Sequence, residues 1–313
     1  MKVLFLQTAH LANDDRVHYH QRVSLEKAGH QCAFAHSAEE IKDVPQIIIC
    51  DTPKAIREAR KAYKNAIIVY DITEWYPSKK NLRNISPWLK PLKWCILVIA
   101  NIYAGLATNA FIFGEYYKAR PFRVLFPWKR HLYLSYYPSL NYIHPTTPRD
   151  LSTEVRLFYA GQKTAEKGYE RVQRVAKLCQ EKMPDKHFVL TAVNGLSFED
   201  FCQEITKHDI FLDLRDNDIE NTHCLPIKLF YYMAAGRPVI YSDLKAIHRG
   251  APEIVNDSLF EPNDIEFIAQ KICDYIRQPN YYREISSRNM SLAKTKYNWE
   301  FLDKVFIQFI KRL

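Results

Sequence analysis

The sequence predicts an α/β protein with two tandem domains, each built on a parallel β-sheet covered by helices. Short apolar runs alternate with segments of helical periodicity, which is typical of parallel sheets that are buried on both faces. The alternation stops once, where Pro145, Pro148 and the threonines between them indicate a linker, and it then starts again. With 313 residues, the chain is long enough for two domains of ordinary size.

Strands and helices are predicted in alternating order in both halves. In the first half, residues 17–29 form a helix that Gly29 ends, and residues 53–64 form another. The predicted strands of this half are Val3–Gln7, Gln31–Ala35, Gln46–Cys50, Ala66–Asp71 and Ala110–Phe113. Those of the second half are Val155–Ala160, His187–Val193, Asp209–Leu214, Pro238–Ser242 and Ser258–Phe260. The predicted helices of the second half are Gly168–Lys182, Phe198–Lys207, Pro226–Ala235 and Ile265–Gln278, followed by a helical region over residues 282–313 with a break near Asn298.

These patterns divide the chain into a first domain over residues 1–140, a linker over 141–152, a second domain over 153–296 and a final helix over 297–313. Ligands of open parallel sheets bind at the carboxyl ends of the strands. We therefore expect the two sheets to face each other across a cleft that holds the ligand.

The positive charge of the protein is confined to its first half. The formal net charge is +9, and residues 1–150 contain 21 Lys and Arg against 12 Asp and Glu, whereas the remainder is balanced. This asymmetry predicts an anionic partner for the first half, such as a membrane surface, and no nucleic-acid recognition module accompanies it. The seven cysteines include no C-x-x-C pair, which excludes a disulfide framework or a structural zinc site and favours a cytoplasmic location.

An uncharged stretch of 21 residues, Trp94–Gly114, is long enough to span a bilayer. Asn101 and Gly105 interrupt it, and its end is predicted as a strand, so a buried helix followed by a strand is an alternative. Five basic residues and Trp88 precede or enter the stretch. They suit a helix lying on an anionic membrane surface, and equally a solvated basic face over a core helix.

The chain contains neither a G-x-G-x-x-G nor a P-loop motif, so a bound anion needs another site. The best candidate lies in residues 221–240. Pro226 suits the first turn of a helix, whose N–H groups and dipole attract an anion. Lys228 falls in the same turn, and Thr222 and His223 precede it. The alternative is an ordinary amphipathic helix with a solvated lysine.

Further charged residues follow predicted strands at the same sheet edges. Lys163 and Lys167 lie on the loop between a strand ending at Gly161 and a helix starting near Gly168, where lysine suits a diphosphate, although both could be surface lysines. In the first half, carboxylates in the corresponding positions could position hydroxyl groups, with a helix cap as the alternative for the first of them. These carboxylates are Asp15, Asp71 and Glu74.

The segment 225–240, LPIKLFYYMAAGRPVI, resembles the donor-binding segment of glycosyltransferase family 4 and related GT-B enzymes. Residues 158–168 and the D-R-V of residues 15–17 support the resemblance. Tyr297–Glu300 is similar to the segment that leads into that family's C-terminal crossing helix. The resemblance spans nearly the whole chain, loosely in the first half.

The resemblance implies two Rossmann-like domains, with the nucleotide-sugar in the second, the acceptor mostly in the first, and the final helix packed back on the first. It implies sugar transfer with retention of anomeric configuration and no required metal or other cofactor. By position, Lys167 and Lys228 match the diphosphate-binding basic residues of the family. Its paired glutamates fall at His223 and Tyr231, and the arginine after the first glycine of the second domain is Gln162.

We therefore interpret the chain as a cytoplasmic, bacterial-type glycosyltransferase, peripheral on the inner face of the plasma membrane. It would transfer a sugar from a UDP- or GDP-linked donor to a glycan or lipid-linked acceptor in surface polysaccharide synthesis. Lys163, Lys167, Lys228, Thr222 and Pro226 would hold the diphosphate, and His223, Tyr231 and Gly161 the ribose or sugar. A catalytically inactive scaffold and a nucleotide-sugar epimerase of the same fold are the alternatives.

Overall fold

A computed structural model describes residues 1–8, 16–40, 44–72, 77–219 and 221–313. The chain divides into two compact units, one formed by Met1–Tyr136 with Leu302–Leu313 and the other by Tyr137–Phe301. Each unit contains one parallel β-sheet flanked by helices. The α/β fold class and the two parallel sheets predicted from the sequence are confirmed.

The first unit contains a six-stranded parallel sheet with the order β2-β1-β3-β4-β5-β6. Its strands are β1 (Lys2–Leu6), β2 (Gln31–Ala35), β3 (Ile47–Cys50), β4 (Ile67–Ile72), β5 (Ala110–Phe113) and β6 (Arg130–Tyr133). Its helices are α1 (Arg22–Lys27), α2 (Pro53–Ala62), α3 (Lys79–Leu82), α4 (Lys90–Ala107) and α5 (Tyr116–Leu125). A π-helical turn, Arg16–Gln21, precedes α1.

Apolar strands explain why this sheet forms. All residues of β3 and β5 are buried, so both faces of these strands are covered. Helix α2 begins where the Thr52 hydroxyl accepts a hydrogen bond from the Ala55 N–H, and it buries Ala55, Ile56 and Ala59 at helical spacing against the sheet.

The five strands predicted in this half are confirmed, with ends that differ by at most one residue, but the sequence missed β6 and α5. Strand β6 lies at the sheet edge and pairs only with β5, so its partly exposed residues lack a continuous apolar run. Helix α5 contains Pro121, which disfavours a helix in a sequence-based prediction.

The second unit contains a five-stranded parallel sheet with the order β11-β10-β9-β7-β8. Its strands are β7 (Glu154–Ala160), β8 (His187–Val193), β9 (Ile210–Asp213), β10 (Val239–Ser242) and β11 (Leu259–Phe260). Its helices are α6 (Tyr169–Lys182), α7 (Phe198–Glu204), α8 (Ile227–Ala234), α9 (Lys245–Gly250), α10 (Val255–Ser258), α11 (Ile265–Arg277) and α12 (Pro279–Thr295), and α13 (Trp299–Lys311) follows and continues into the first unit.

The predicted strands and long helices of this half are confirmed, including the break between α12 and α13. At that break, the Asn298 side chain donates to the Ala293 carbonyl and accepts from the Phe301 N–H, so it caps one helix and starts the next. The predicted linker contacts the connection between α8 and β10: Arg237, fully buried, donates hydrogen bonds to the Thr146 carbonyl and hydroxyl, both at 3.0 Å.

The uncharged stretch forms α4 and then β5, as the strand prediction requires. The region Pro87–Ala107 is the single described helix that is long and apolar enough to span a membrane, and only 17% of it is buried. The expectation of a buried core helix is therefore wrong, because the exposed side chains of α4 are mostly apolar.

Candidate functional site

The strand order of the second sheet marks where a ligand can bind. The chain leaves β7 toward β8 on one side, and then returns to the other side of β7 to form β9 and β10. In open parallel sheets, ligands bind at the carboxyl ends of the strands where the connections diverge in this way. For this sheet, that position lies between the loops that follow β7 and β9.

The loop after β7 has a fixed shape that depends on glycine. The Tyr159 hydroxyl donates to the carbonyls of Gln162 (2.7 Å) and Lys167 (3.2 Å), which folds the loop back on the strand. Gly168, with φ of +75°, precedes α6, and a Cβ there would lie 1.8 Å from the Leu214 carbonyl oxygen. Only glycine permits this approach, which joins the loop after β7 to the chain that follows β9.

Lys228 reaches the same edge from helix α8. Pro226 has an extended backbone and immediately precedes α8, which begins at Ile227, so Pro226 is the N-cap rather than a residue of the first turn. The Lys228 ammonium donates a hydrogen bond to the Ala160 carbonyl, the last of β7. A Cβ on Gly161 would lie 3.2 Å from Lys228 Nζ, so glycine at this position leaves room for the ammonium.

The electrostatics of the site centre on Lys228. Burial lowers its pKa to about 8; Asp213 opposes this shift, whereas Arg215 and Lys167 add to it as neighbouring cations. Asp213 itself binds Arg215, with Nε 2.9 Å from its Oδ1, and accepts from the Tyr241 hydroxyl at 2.7 Å. Within the described residues Lys228 forms no ion pair. A half-buried ammonium that is hydrogen-bonded to a neutral carbonyl is well placed to bind an anion.

Solved structures of similar architecture are glycosyltransferases. Sucrose-phosphate synthase from Thermosynechococcus elongatus aligns with a TM-score of 0.70 and 11% identity, over 99% of this chain and 98% of that protein. Anabaena HepE, in complex with UDP-glucose, aligns with a TM-score of 0.66 and 13% identity over the whole of both chains. The chain has the GT-B fold. No protein-family model matches the sequence, and no curated protein sequence matches it.

A third neighbour is larger than this chain. The pneumococcal O-GlcNAc transferase GtfA, in complex with UDP and GlcNAc, aligns with a TM-score of 0.58 and 12% identity, over 85% of this chain and 56% of GtfA. The TM-scores establish the fold, and identities this low extend the likeness no further, so the resemblance to GT-B glycosyltransferases is confirmed for the architecture.

The remaining residues predicted for the donor have definite places in the GT-B second unit. The Thr222 hydroxyl accepts from the Lys245 N–H at 3.2 Å, and His223 Nδ1 lies 2.8 Å from the Ile219 carbonyl oxygen. The Lys163 ammonium lies 5.6 Å from the centre of the Tyr169 ring. Tyr231 is buried against Phe198 and Phe201. The contacts of these residues with a donor stay predictions.

A D-x-D sequence follows β9, a pattern that can bind a nucleotide-linked cation. Asp216 is paired with Arg171 at 2.6 Å, and Asp218 accepts from the Asn221 N–H at 2.8 Å, so both carboxylates hold the turn. The part of the chain that the structure describes contains no group of three or more His, Cys, Asp or Glu side chains suited to a metal ion. Independence from metal stays a prediction.

Of the carboxylates predicted in the first unit, Asp71 lies in β4 and is buried. It accepts hydrogen bonds from Arg16 and from the Gln21 amide, the latter at 2.9 Å. The Arg16 guanidinium also lies 4.1 Å from the centre of the Tyr136 ring. Asp15 and Glu74 lie outside the described residues. Catalytic roles for these carboxylates stay predictions.

The sequence analysis missed Asp213 and Arg215, which set the charge around Lys228. Arg215 follows Asp213 by two residues at the end of a strand, and residues at this spacing can point to the same side. That spacing was the available signal. No comparable signal in the sequence indicates the pairing of Arg16 with Asp71, because the two residues are 55 positions apart.

Proposed function

We propose that the protein is a glycosyltransferase that takes its sugar from a nucleoside diphosphate sugar bound in the second unit. The supporting observation is Lys228, a half-buried lysine in the first turn of α8 whose ammonium donates to the carbonyl at the carboxyl end of β7. The solved neighbours HepE and GtfA are described in complex with UDP-glucose and with UDP and GlcNAc. A UDP-linked donor is therefore the first to test, and a GDP-linked donor the second.

The chemistry follows from where negative charge develops. As the bond between the anomeric carbon and the β-phosphate oxygen breaks, the electron pair stays on the departing diphosphate. The ammonium groups of Lys228 and Lys167 and the first N–H groups of α8 stabilise that charge. The acceptor hydroxyl oxygen forms the new bond to the anomeric carbon and passes its proton to the departing diphosphate oxygen. We assign the acceptor contacts to Asp15, Asp71 and Glu74 of the first unit.

We further propose that transfer retains the anomeric configuration, proceeds without a metal, and serves bacterial surface polysaccharide synthesis on a glycan or lipid-linked acceptor at the cytoplasmic side of the plasma membrane. These points rest on the resemblance of residues 225–240 and on the basic first half. His223 and Tyr231 in place of paired carboxylates favour one second candidate, a protein that binds the donor without transferring its sugar.

Equilibrium binding tests the donor site directly. We expect UDP or UDP-glucose to bind the intact protein, and Lys228→Ala to weaken that binding about tenfold or more, as the loss of a charge-assisted hydrogen bond does. Isothermal titration with UDP, GDP and their glucose and mannose conjugates measures this. Lys177→Ala, on the exposed face of α6, is the matched control and should bind as the parent protein does.

The outcomes separate the proposals. Equal affinity of Lys228→Ala and the parent protein would refute the site. Donor binding that depends on Lys228, without sugar transfer to any glycan or lipid-linked acceptor, would support the second candidate. Interconversion of the donor sugar without an acceptor would indicate an epimerase.

A further inference from the structure

Helix α4 presents an unusually large apolar surface to the outside of the first unit. It buries only Asn101, Ala104 and Gly105 of its 18 residues. The side chains that define this α4 surface are exposed, with Ile99 at 65%, Leu106 at 61% and Trp88, just before the helix, at 91%. Its other members are Leu89, Leu92 and Ile96. Contiguous apolar surface of this extent is rare on soluble proteins and marks an interaction site.

The C-terminal part of the helix is fixed to the unit. Its buried residues recur at helical spacing: Gly105 is so close to Phe126 that a Cβ would lie 2.1 Å from that ring, and the Asn101 carboxamide approaches the Tyr70 hydroxyl at 3.4 Å. At 1.5 Å per residue, the α4 surface is about 27 Å long. A helix fastened in this way can rest on a bilayer, but it cannot cross one without leaving the sheet.

The charge of the surrounding sequence specifies the sign of the partner. Residues 1–74 contain 10 Lys and Arg and 10 Asp and Glu, whereas residues 75–136 contain 10 Lys and Arg and a single acid, Glu115. The excess positive charge of the first half is therefore concentrated in the segment that carries α4. Lys93 is exposed and Lys90 half-buried in its first turn.

Tryptophan side chains stand at both ends of the α4 surface. Trp88 and Trp94 lie at its N-terminal end. Trp128 is 69% exposed at the other end, where Lys129 Nζ donates to the Leu106 carbonyl at 2.8 Å. Tryptophan favours the boundary between lipid headgroups and acyl chains, and lysine favours anionic headgroups.

We propose that the α4 surface docks the first unit on an anionic phospholipid bilayer, with α4 parallel to the membrane plane and its apolar side chains inserted among the acyl chains. A second copy of this chain fits less well, because it would bring the same basic segment against itself. This inference does not depend on sugar transfer, so it can be tested even if the proposed activity is wrong.

Vesicle flotation tests the proposal with the full chain. We expect the protein to float with vesicles of phosphatidylcholine containing 30% phosphatidylglycerol, and to bind vesicles of phosphatidylcholine alone at least about tenfold more weakly. Carbonate at pH 11 should release it, as expected of a helix that lies on the membrane. On the anionic vesicles, the tryptophan emission should shift to the blue, and brominated lipid should quench it.

Variants assign the binding to named residues. Ile99→Glu should weaken vesicle binding about tenfold or more by placing a carboxylate in the acyl region, and Lys90→Ala with Lys93→Ala should do the same on anionic vesicles only. Phe267→Glu, at a side chain exposed on the second unit, is the matched control and should bind as the parent protein does. Unfolding temperature and UDP binding, measured on each variant, show whether it is folded.

Several results would overturn the proposal. They are equal binding by folded Ile99→Glu and the parent protein, equal binding to neutral and anionic vesicles, retention in the membrane after carbonate, and a dimer that Ile99→Glu disrupts in the absence of any vesicle binding.

Discussion

Helices α4 and α8 have similarly apolar sequences and opposite surroundings. Helix α8 buries six of its eight residues, from Leu229 to Ala234, between the sheet and α12. Helix α4 buries three of 18, and all of its leucines and isoleucines except the half-buried Leu97 are exposed. Apolar composition therefore determines that a segment avoids water. It does not determine whether the rest of the protein or a separate apolar phase surrounds that segment.

The lysines of the two helices also differ in their surroundings. Burial lowers the pKa of Lys228 in α8 to about 8, so this lysine binds a proton less tightly than a lysine in water does. In α4, Lys93 is exposed, where its charge is solvated, and Lys90 is half-buried. An ammonium that a backbone carbonyl holds in place, as Ala160 holds that of Lys228, suits a specific site for a small anion, whereas an exposed ammonium beside apolar side chains suits an extended anionic surface.

The largest expected difference between the two helices is in stability. Leu229→Ala should lower the free energy of unfolding by about 2–5 kcal/mol, because it removes a fully buried side chain and leaves a cavity. Ile99→Ala should change it by no more than about 0.5 kcal/mol, because that side chain is exposed. Urea unfolding of both variants measures this. A comparable loss for Ile99→Ala would show that α4 is covered by the protein itself.

The strands were predictable from the sequence, because residues buried on both faces, such as Ile47–Cys50 and Ala110–Phe113, form continuous apolar runs. Strand β6 was not, because an edge strand needs no such run. The exposure of α4 was not predictable either, since a core helix and a lipid-facing helix obey the same pattern.

The proposed donor site was predictable in part. Lys228 and Lys167 stand at a helix start and on a strand-to-helix loop, which are local signals. The hydrogen bond from Lys228 to Ala160 joins residues 68 positions apart, and the Asp213–Arg215 pair beside it gains its importance only when β9 lies next to β7. Local patterns carry no information on such pairings.

A smaller effect on the free energy of unfolding is expected from substitutions at Gly168 and Gly195, which form a matched pair. Gly168 and Gly195 have similar φ values, +75° and +74°, but a Cβ would strike the Leu214 backbone at Gly168 and nothing within 4 Å at Gly195. Gly195→Ala should lower the free energy of unfolding by about 1–2 kcal/mol through backbone strain alone. Gly168→Ala should lower it by about 2–4 kcal/mol.

Donor affinity distinguishes the two glycines further. Displacement of Leu214 moves the neighbouring Arg215 and the loop that carries Lys167, so Gly168→Ala should also weaken UDP binding, and Gly195→Ala should not. Thermal unfolding and titration with UDP measure both effects. If the two variants had the same stability and the same affinity for UDP, the loop that contains Gly168 would have no part in donor binding.

The smallest expected effect is the pH dependence of donor binding. Because burial lowers the pKa of Lys228 to about 8, the ammonium is mostly present at pH 7 and mostly lost at pH 9. A diphosphate binds the protonated form, so it raises this pKa in the complex, and affinity is complete below pH 8 and falls above it. Between pH 7 and pH 9 the affinity for UDP-glucose, whose diphosphate does not titrate in this range, should fall about tenfold.

Lys228→Arg, which keeps its proton throughout, should bind with the same affinity at both pH values. The same decline in Lys228→Arg would mean that another group titrates, and that the Lys228 ammonium of α8 is no more engaged with the donor than the ammonium groups of α4.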